Sequence, residues 1–174
     1  MKNSYKKEPE LKKDKNRLSH VDSKGKARMV NVSAKKDSFR AAIAHARISM
    51  KRESFERVME NKNKKGDVLG TANLAGILAA KKTGELIPLC HPLNISHIGL
   101  EFIPDRRTCS VEIIAACEIT GKTGVEMEAL TAVTVAALTL YDMCKATDKN
   151  MEISEIHLIK KTGGRSGVYR RKTR

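Results

Sequence analysis

Between Ala41 and Met50 the positions Ala42, Ala44, Ala46, Ile48 and Met50 alternate with Ile43, His45, Arg47 and Ser49. A period of two sends successive side chains to opposite faces and predicts a strand, although so much alanine would also suit a helix. A shorter strand is predicted over Ala27 to Val32, reached through Ser23-Lys24-Gly25, with Met29 out of step with Val30 and Val32. Ile95 to Ile103 and Cys109 to Ile119 predict two further strands joined by Pro104-Asp105-Arg106-Arg107, and Ile153 to Ile159 a last one before Thr162-Gly163-Gly164.

The period lengthens to that of a helix from Asp67 to Lys82, where Leu69, Ala72, Leu74, Ala75, Ile77, Leu78 and Ala79 recur, and Gly84 stands where a C-cap belongs. Glu53 to Glu60 predicts a short polar helix. Glu126 to Lys145 predicts the longest helix, with Leu130, Val133, Ala137, Tyr141 and Cys144 on one stripe, acids in the first turn and Lys145 in the last. Pro88 and Pro92 bracket Leu89-Cys90-His91 and predict a rigid turn with fixed side-chain directions.

This order of elements predicts an α+β fold in which helices pack on one face of a mostly antiparallel sheet. A length of 174 residues suits one domain, placed at 18–167 between a flexible basic extension at 1–17 and a basic tail at 168–174. Tryptophan is absent and aromatic residues make up 3%, so the core must come from aliphatic residues and alanine. The formal charge of +14 raises the alternative of a nucleic-acid-binding protein. Residues 1–17 carry +4 and residues 160–174 carry +7, which leaves +3 for 18–159, and stacking aromatics are few, so nucleic acid is not the expected partner. With no apolar N-terminal segment, no run of about 20 apolar residues and four scattered cysteines, Cys90, Cys109, Cys117 and Cys144, the expectation is a cytoplasmic protein without membrane association, disulfides or a metal centre.

Gly121-Lys122-Thr123-Gly124 precedes a helix as in a phosphate-binding loop, but the full motif needs glycine where Ala116 stands in a strand. What survives is a helix start whose N–H groups face an anion, or a plain turn. His91 reads as a ligand, a general acid or a packed loop histidine, and Lys65 alone as a surface lysine. Asp142 and Lys145 share a helix face by their i,i+3 spacing, either as an exposed ion pair or as working groups, and a carboxylate in the apolar company of Tyr141, Met143 and Cys144 needs a partner. Glu126 and Glu128 lie at least 14 residues from Asp142, roughly 20 Å along a helix, so one pocket using both ends must draw on two chains. A non-catalytic structural oligomer remains the third reading.

The motifs MVNVSAK (29–35), KGDV (65–68), AGILAAKKT (75–83), LIPLCHPL (86–93), ITGKTGVEMEALTA (119–132), ALTLYDMCKA (137–146) and KTGGRSG (161–167) make residues 18–167 resemble the cyclic pyranopterin monophosphate synthase family of molybdenum cofactor biosynthesis. The resemblance implies a ferredoxin-like fold, a homohexamer built as a trimer of dimers with its site at a dimer interface, and a lyase. Its substrate would be 3′,8-cyclo-7,8-dihydroguanosine 5′-triphosphate, rearranged to cyclic pyranopterin monophosphate with loss of pyrophosphate. No cofactor is expected, and Mg2+ could accompany the triphosphate. Residue by residue, the resemblance makes Asp142 the catalytic aspartate, with Lys65 and Lys145 working beside it. It places Leu89, Cys90, His91, Glu126, Met127 and Glu128 on the substrate, and lines the pocket with Arg40, Lys81 and Lys161. Clustered lysines would be expected to lower one another's pKa towards a useful range for proton transfer.

Overall fold

The computed structural model describes residues 25–164 and 167–172. The chain falls into two units, residues 1–30 and 31–174. In the first, residues 25–30 hold no strand beyond an isolated bridge at Ala27. The strand expected over Ala27 to Val32 therefore does not form. In the second unit, Asn31 accepts the Ser33 N–H on its side chain at 2.9 Å, and Lys35 N–H closes on the Val32 carbonyl at 3.0 Å. An asparagine that captures the backbone two residues on makes a turn and competes with a sheet ladder.

The second unit is built on β1 (Ser38–Ser49), which pairs antiparallel with β3 (Ser110–Gly121) on one side and β4 (Glu152–Thr162) on the other. β2 (His97–Asp105) adds to β3, and a two-residue β5 (Tyr169–Arg170) adds to β4, giving the order β2-β3-β1-β4-β5. The first four strands, in antiparallel pairing, are the ferredoxin-like sheet. Ala42, Ala44, Ala46 and Ile48 are buried along one face of β1, as are Val111, Ile113, Ala115 and Cys117 along β3. The alternation thus prevailed over the alanine content. β2 runs two residues further than expected because Pro104 lies in an edge strand, where the missing N–H costs no ladder bond. The turn falls instead at 106–109, held by Asp105, which accepts from the Arg107 N–H and the Thr108 hydroxyl at 2.8 Å each.

α1 (Arg52–Met59) begins where the Lys51 N–H donates to the buried Asp148 carboxylate at 2.7 Å. α2 (Val68–Lys81) is capped by Asp67, which accepts the Gly70 N–H at 2.9 Å. It ends at Lys82, not at the expected cap Gly84, which lies inside the short α3 (Thr83–Leu86). A Cβ at Gly84 would stand 3.0 Å from Pro92 Cα and 3.3 Å from the His91 carbonyl oxygen. The glycine is there for close approach: it lets α3 press against the backbone of the Leu89-Cys90-His91 turn.

α4 (Glu126–Cys144) packs across β1, β3 and β4 and against α2. By length and composition alone it could cross a membrane, but half of it is buried within the fold, as a core helix would be. Alanines at 129, 132, 136 and 137 are fully buried and let the two helices and the sheet come close. At Gly76 the approach is closest, since a Cβ there would lie 3.0 Å from the Ala132 carbonyl oxygen. α2 runs antiparallel to α4: Lys65, ahead of α2, meets Asp142 near the end of α4, whereas α3 meets α4 beyond the other end of α2. Two ends of the helical layer result, and the candidate residues divide between them.

Candidate functional site

At the C-terminal end of α4, Asp142 lies between two cations. Lys145 Nζ is 2.7 Å from Oδ1, and Lys65 Nζ is 2.8 Å from Oδ2 and also donates to the Asp142 carbonyl at 2.9 Å. The helix supplies the first contact through its i,i+3 spacing. The second is delivered by a loop: Asn63 accepts the Lys65 N–H on its side chain at 3.0 Å and reaches Cys144 Sγ at 3.5 Å, tying 63–65 to α4. Gly66, with φ of +88°, turns the chain into α2. Asn63 carries no local sequence signal for this role.

The Asp142 side chain is 56% exposed, so the apolar burial that its neighbours suggested does not occur. Hydrogen bonds from Lys145 and then Lys65, with their charges, hold its pKa down at about 2. The same contact raises the Lys145 pKa above that of an ordinary lysine. The expected mutual lowering is thus overturned at Lys145, because a carboxylate stands between the ammonium groups and stabilises the charged form.

At the other end, Lys161 of β4 pairs with Glu126 at 2.7 Å, both partly buried. Arg40 of β1 donates Nε–H to the Gly121 carbonyl at 2.8 Å. Gly124 lies so close to the Glu126 carboxylate that a Cβ would collide with it. Glu126 thus lies back against the 121–124 loop, and its carboxylate meets Lys161. Lys122 donates to the Ser33 carbonyl at 3.0 Å, and Lys35 and Lys36 line a cavity with Ser38 and Arg40. Lys35 and Lys36 stand outside the candidates read from the sequence, where the basic residues around MVNVSAK were the available signal.

Glu128 is only 3% exposed. Burial, assisted by the charge of Glu126, raises its pKa to about 7. Its charge in turn acts on Cys90, and burial together with that charge pushes the Cys90 thiol up. Cys117 of β3 is driven to about 12 by the same pair of causes. Glu128, Cys90 and Cys117 therefore share one neighbourhood, which brings the Leu89-Cys90-His91 turn to the start of α4. Leu89, Cys90 and His91 are half-buried, Met127 is exposed, and Lys81 is exposed at the last turn of α2, at this same end.

A carboxyl group with a raised pKa withholds stability as it ionises. Below pH 4.5 it is protonated in both states, and between 4.5 and 7 the unfolded chain ionises first, so stability falls with rising pH across that window. Glu128→Gln is expected to abolish this fall, and to be more stable than the parent above pH 7 by at most about 3 kcal/mol. Urea midpoints from pH 4.5 to 8 measure it; parallel curves for the two proteins would contradict the burial argument.

The two groups are held apart by α4 itself. From Glu128 to Asp142 is roughly 20 Å at 1.5 Å per residue. One chain brings Asp142, Lys65 and Lys145 together, and separately brings together Glu126, Lys161, Glu128 and the Cys90 turn. It does not join the two sets.

Comparison with known proteins accords with this arrangement. Residues 29–164 match the model of the MoaC family. Proteins named cyclic pyranopterin monophosphate synthase are similar throughout: that of Heliobacterium modesticaldum is 59% identical over 152 residues, covering 87% of this chain and 96% of the relative. That of Desulfatibacillum aliphaticivorans is 53% identical over the same coverage, and that of Chloroflexus aurantiacus is 54% identical over 90% of this chain and 96% of its own length. The fold, the motifs on its two helical ends and this extent of identity place the chain in the MoaC family.

Proposed function

We propose that this chain catalyses the reaction for which its relatives are named, a lyase step of molybdenum cofactor biosynthesis. It rearranges 3′,8-cyclo-7,8-dihydroguanosine 5′-triphosphate to cyclic pyranopterin monophosphate and releases pyrophosphate. The observation that carries the reading is the Lys65–Asp142–Lys145 group, two ammonium ions fixed at 2.8 and 2.7 Å by one exposed carboxylate. Asp142 stays ionised throughout the neutral range and cannot serve there as an acid; it orients the two cations. Lys145 is held protonated before substrate arrives, which suits it to meet developing negative charge on the departing phosphates.

Glu126 and Glu128 can accept the N–H groups of a guanine-derived ring. Glu128, near pH 7, can also exchange a proton there. Arg40, Lys81 and Lys161 supply the charge that a triphosphate requires, with Leu89, Cys90, His91 and Met127 completing the surface around the ring. The reading needs no resident cofactor, and Mg2+ enters as the triphosphate's own counterion.

The same reading includes a homohexamer built as a trimer of dimers. A site that uses both ends of α4 must be completed by a second chain, and Leu74 and Leu78 on α2 and Leu138 on α4 are 63%, 57% and 53% exposed, apolar surface that association would cover. Thiols at 90, 109, 117 and 144 without disulfides fit the cytoplasm. The alternative of nucleic-acid binding has no support among the relatives, which are named as synthases.

Incubating the purified chain with the cyclised triphosphate, with and without Mg2+, should release pyrophosphate together with the pterin product. Absence of both under each condition would remove the reading.

A further inference from the structure

We infer that the C-terminal arm, β5 and the residue after it, is a positioning element for Arg40 and Lys161 and thereby sets the affinity for the substrate's phosphates. The inference rests on the proposed activity. Three observations carry it. Tyr169 and Arg170 pair with Lys161 and Lys160, and the Arg171 N–H donates to the Ile159 carbonyl at 2.9 Å, so the arm is laced to the very stretch of β4 that carries Lys161.

Just past β4, Gly163 and Gly164 pass close over Phe39 and Arg40. Gly163 and Gly164 have φ of +94° and +72°. A Cβ on Gly163 would run into the Phe39 carbonyl, and one on Gly164 into the Arg40 guanidinium. The chain is therefore in van der Waals contact with the side chain it covers, and a conformation that only glycine adopts easily is maintained there. The Gly167 N–H donates to the Gly164 carbonyl at 3.3 Å before the chain enters β5.

Third, Arg40 and Lys161 are each held at the side chain as well, by the Gly121 carbonyl and by Glu126. Gly163 and Gly164 thus supply a wall against Arg40, and the arm fixes the main chain that carries Lys161. Long cationic side chains lose considerable rotamer freedom on binding an anion, and a wall that holds them beforehand reduces that loss. A purely structural arm would only cover the exposed edge of β4.

Arg171→Pro removes the N–H that binds Ile159, whereas Arg171→Ala removes only the side chain. In full-length protein turning over the cyclised triphosphate, Arg171→Pro is expected to raise KM by about tenfold with kcat within about twofold, while Arg171→Ala leaves both near the parent values. Calorimetric binding of inorganic pyrophosphate should weaken by about the same factor in the proline variant, and it decides the matter even if the parent shows no turnover, an outcome that would count against the proposed activity alone. Unchanged KM and pyrophosphate affinity in a folded proline variant, with only the melting temperature lowered, would overturn the inference. Should the proline variant not fold, the chain ended at Gly167 takes its place under the same criterion, and failure of both to fold would show the arm to be structural and overturn it equally.

Discussion

Asp142→Asn is expected to lower kcat by about a thousandfold while moving the melting temperature by less than about 3 °C. The two halves of this expectation come from one geometry. Asp142 is 56% exposed, and its partners Lys145 and Lys65 are about half exposed, so the ion pairs contribute little to folding in the presence of water and salt. What they do is hold two ammonium groups in fixed positions. The amide keeps the shape of the carboxylate and loses its charge. Lys145 then loses the charge that raises its pKa, and one of the two side-chain acceptor oxygens becomes a donor, so the pair of lysines can no longer both be held by the side chain, although Lys65 keeps the Asp142 main-chain carbonyl.

The pH dependence follows the same logic. A carboxyl group whose pKa is depressed from 3.8 to about 2 contributes stability above pH 3.8 that is lost as pH falls towards 2. Between pH 5 and 9 its charge does not change, so any limb in the rate profile across that range belongs to other groups, Glu128 foremost. Steady-state rates and melting curves of the purified variant test this. Activity above a tenth of the parent would take Asp142 out of the chemistry, and a large drop in melting temperature would make its role structural.

The parts of this site that could be read along the chain are those set by local geometry. Asp142 and Lys145 are three residues apart on a helix, and their meeting is a matter of helical pitch. Lys65 lies 77 residues away from Asp142, and its arrival depends on Asn63 holding both the Lys65 backbone and Cys144, a tertiary arrangement with no local signature. The direction of the Lys145 shift was misjudged for a related reason: a count of neighbouring lysines gives the opposite sign unless the carboxylate between them is placed. Glu128 shows the same limit. An acid in the first turn of a helix reads as a solvated partner of the dipole, and only the packing of α4 on β3 reveals that it is buried.

In the fold, the alternation of β1 and the helical periods of α2 and α4 were legible because each element buries a whole face. β5 was not, and its two residues had been assigned to a tail, since so short a strand exists only by pairing with β4. The strand expected at 27–32 does not form, and at its end Asn31 captures the Ser33 N–H in a local turn, a competition that a weak alternation does not reveal.

Mixing two inactive variants is expected to restore activity, and by a calculable amount. Lys65→Ala removes a cation at the C-terminal end of α4, and Lys161→Ala removes one beyond its N-terminal end, about 20 Å away along the helix. If a site takes Lys65 from one chain and Lys161 from its partner, a mixed pair contains one site with both lesions and one with neither. Random reassembly of equal amounts makes half of all pairs mixed, and half the sites in those are intact, so about a quarter of the parent activity should return. Dissociating the two proteins together in mild denaturant, then removing it, gives the measurement, with each variant treated alone as the control. Within a single-chain site every copy would carry a lesion whatever its partner, and the mixture would stay as inactive as its components. Recovery therefore depends on the distance imposed by α4, which no side-chain rearrangement inside one chain can close.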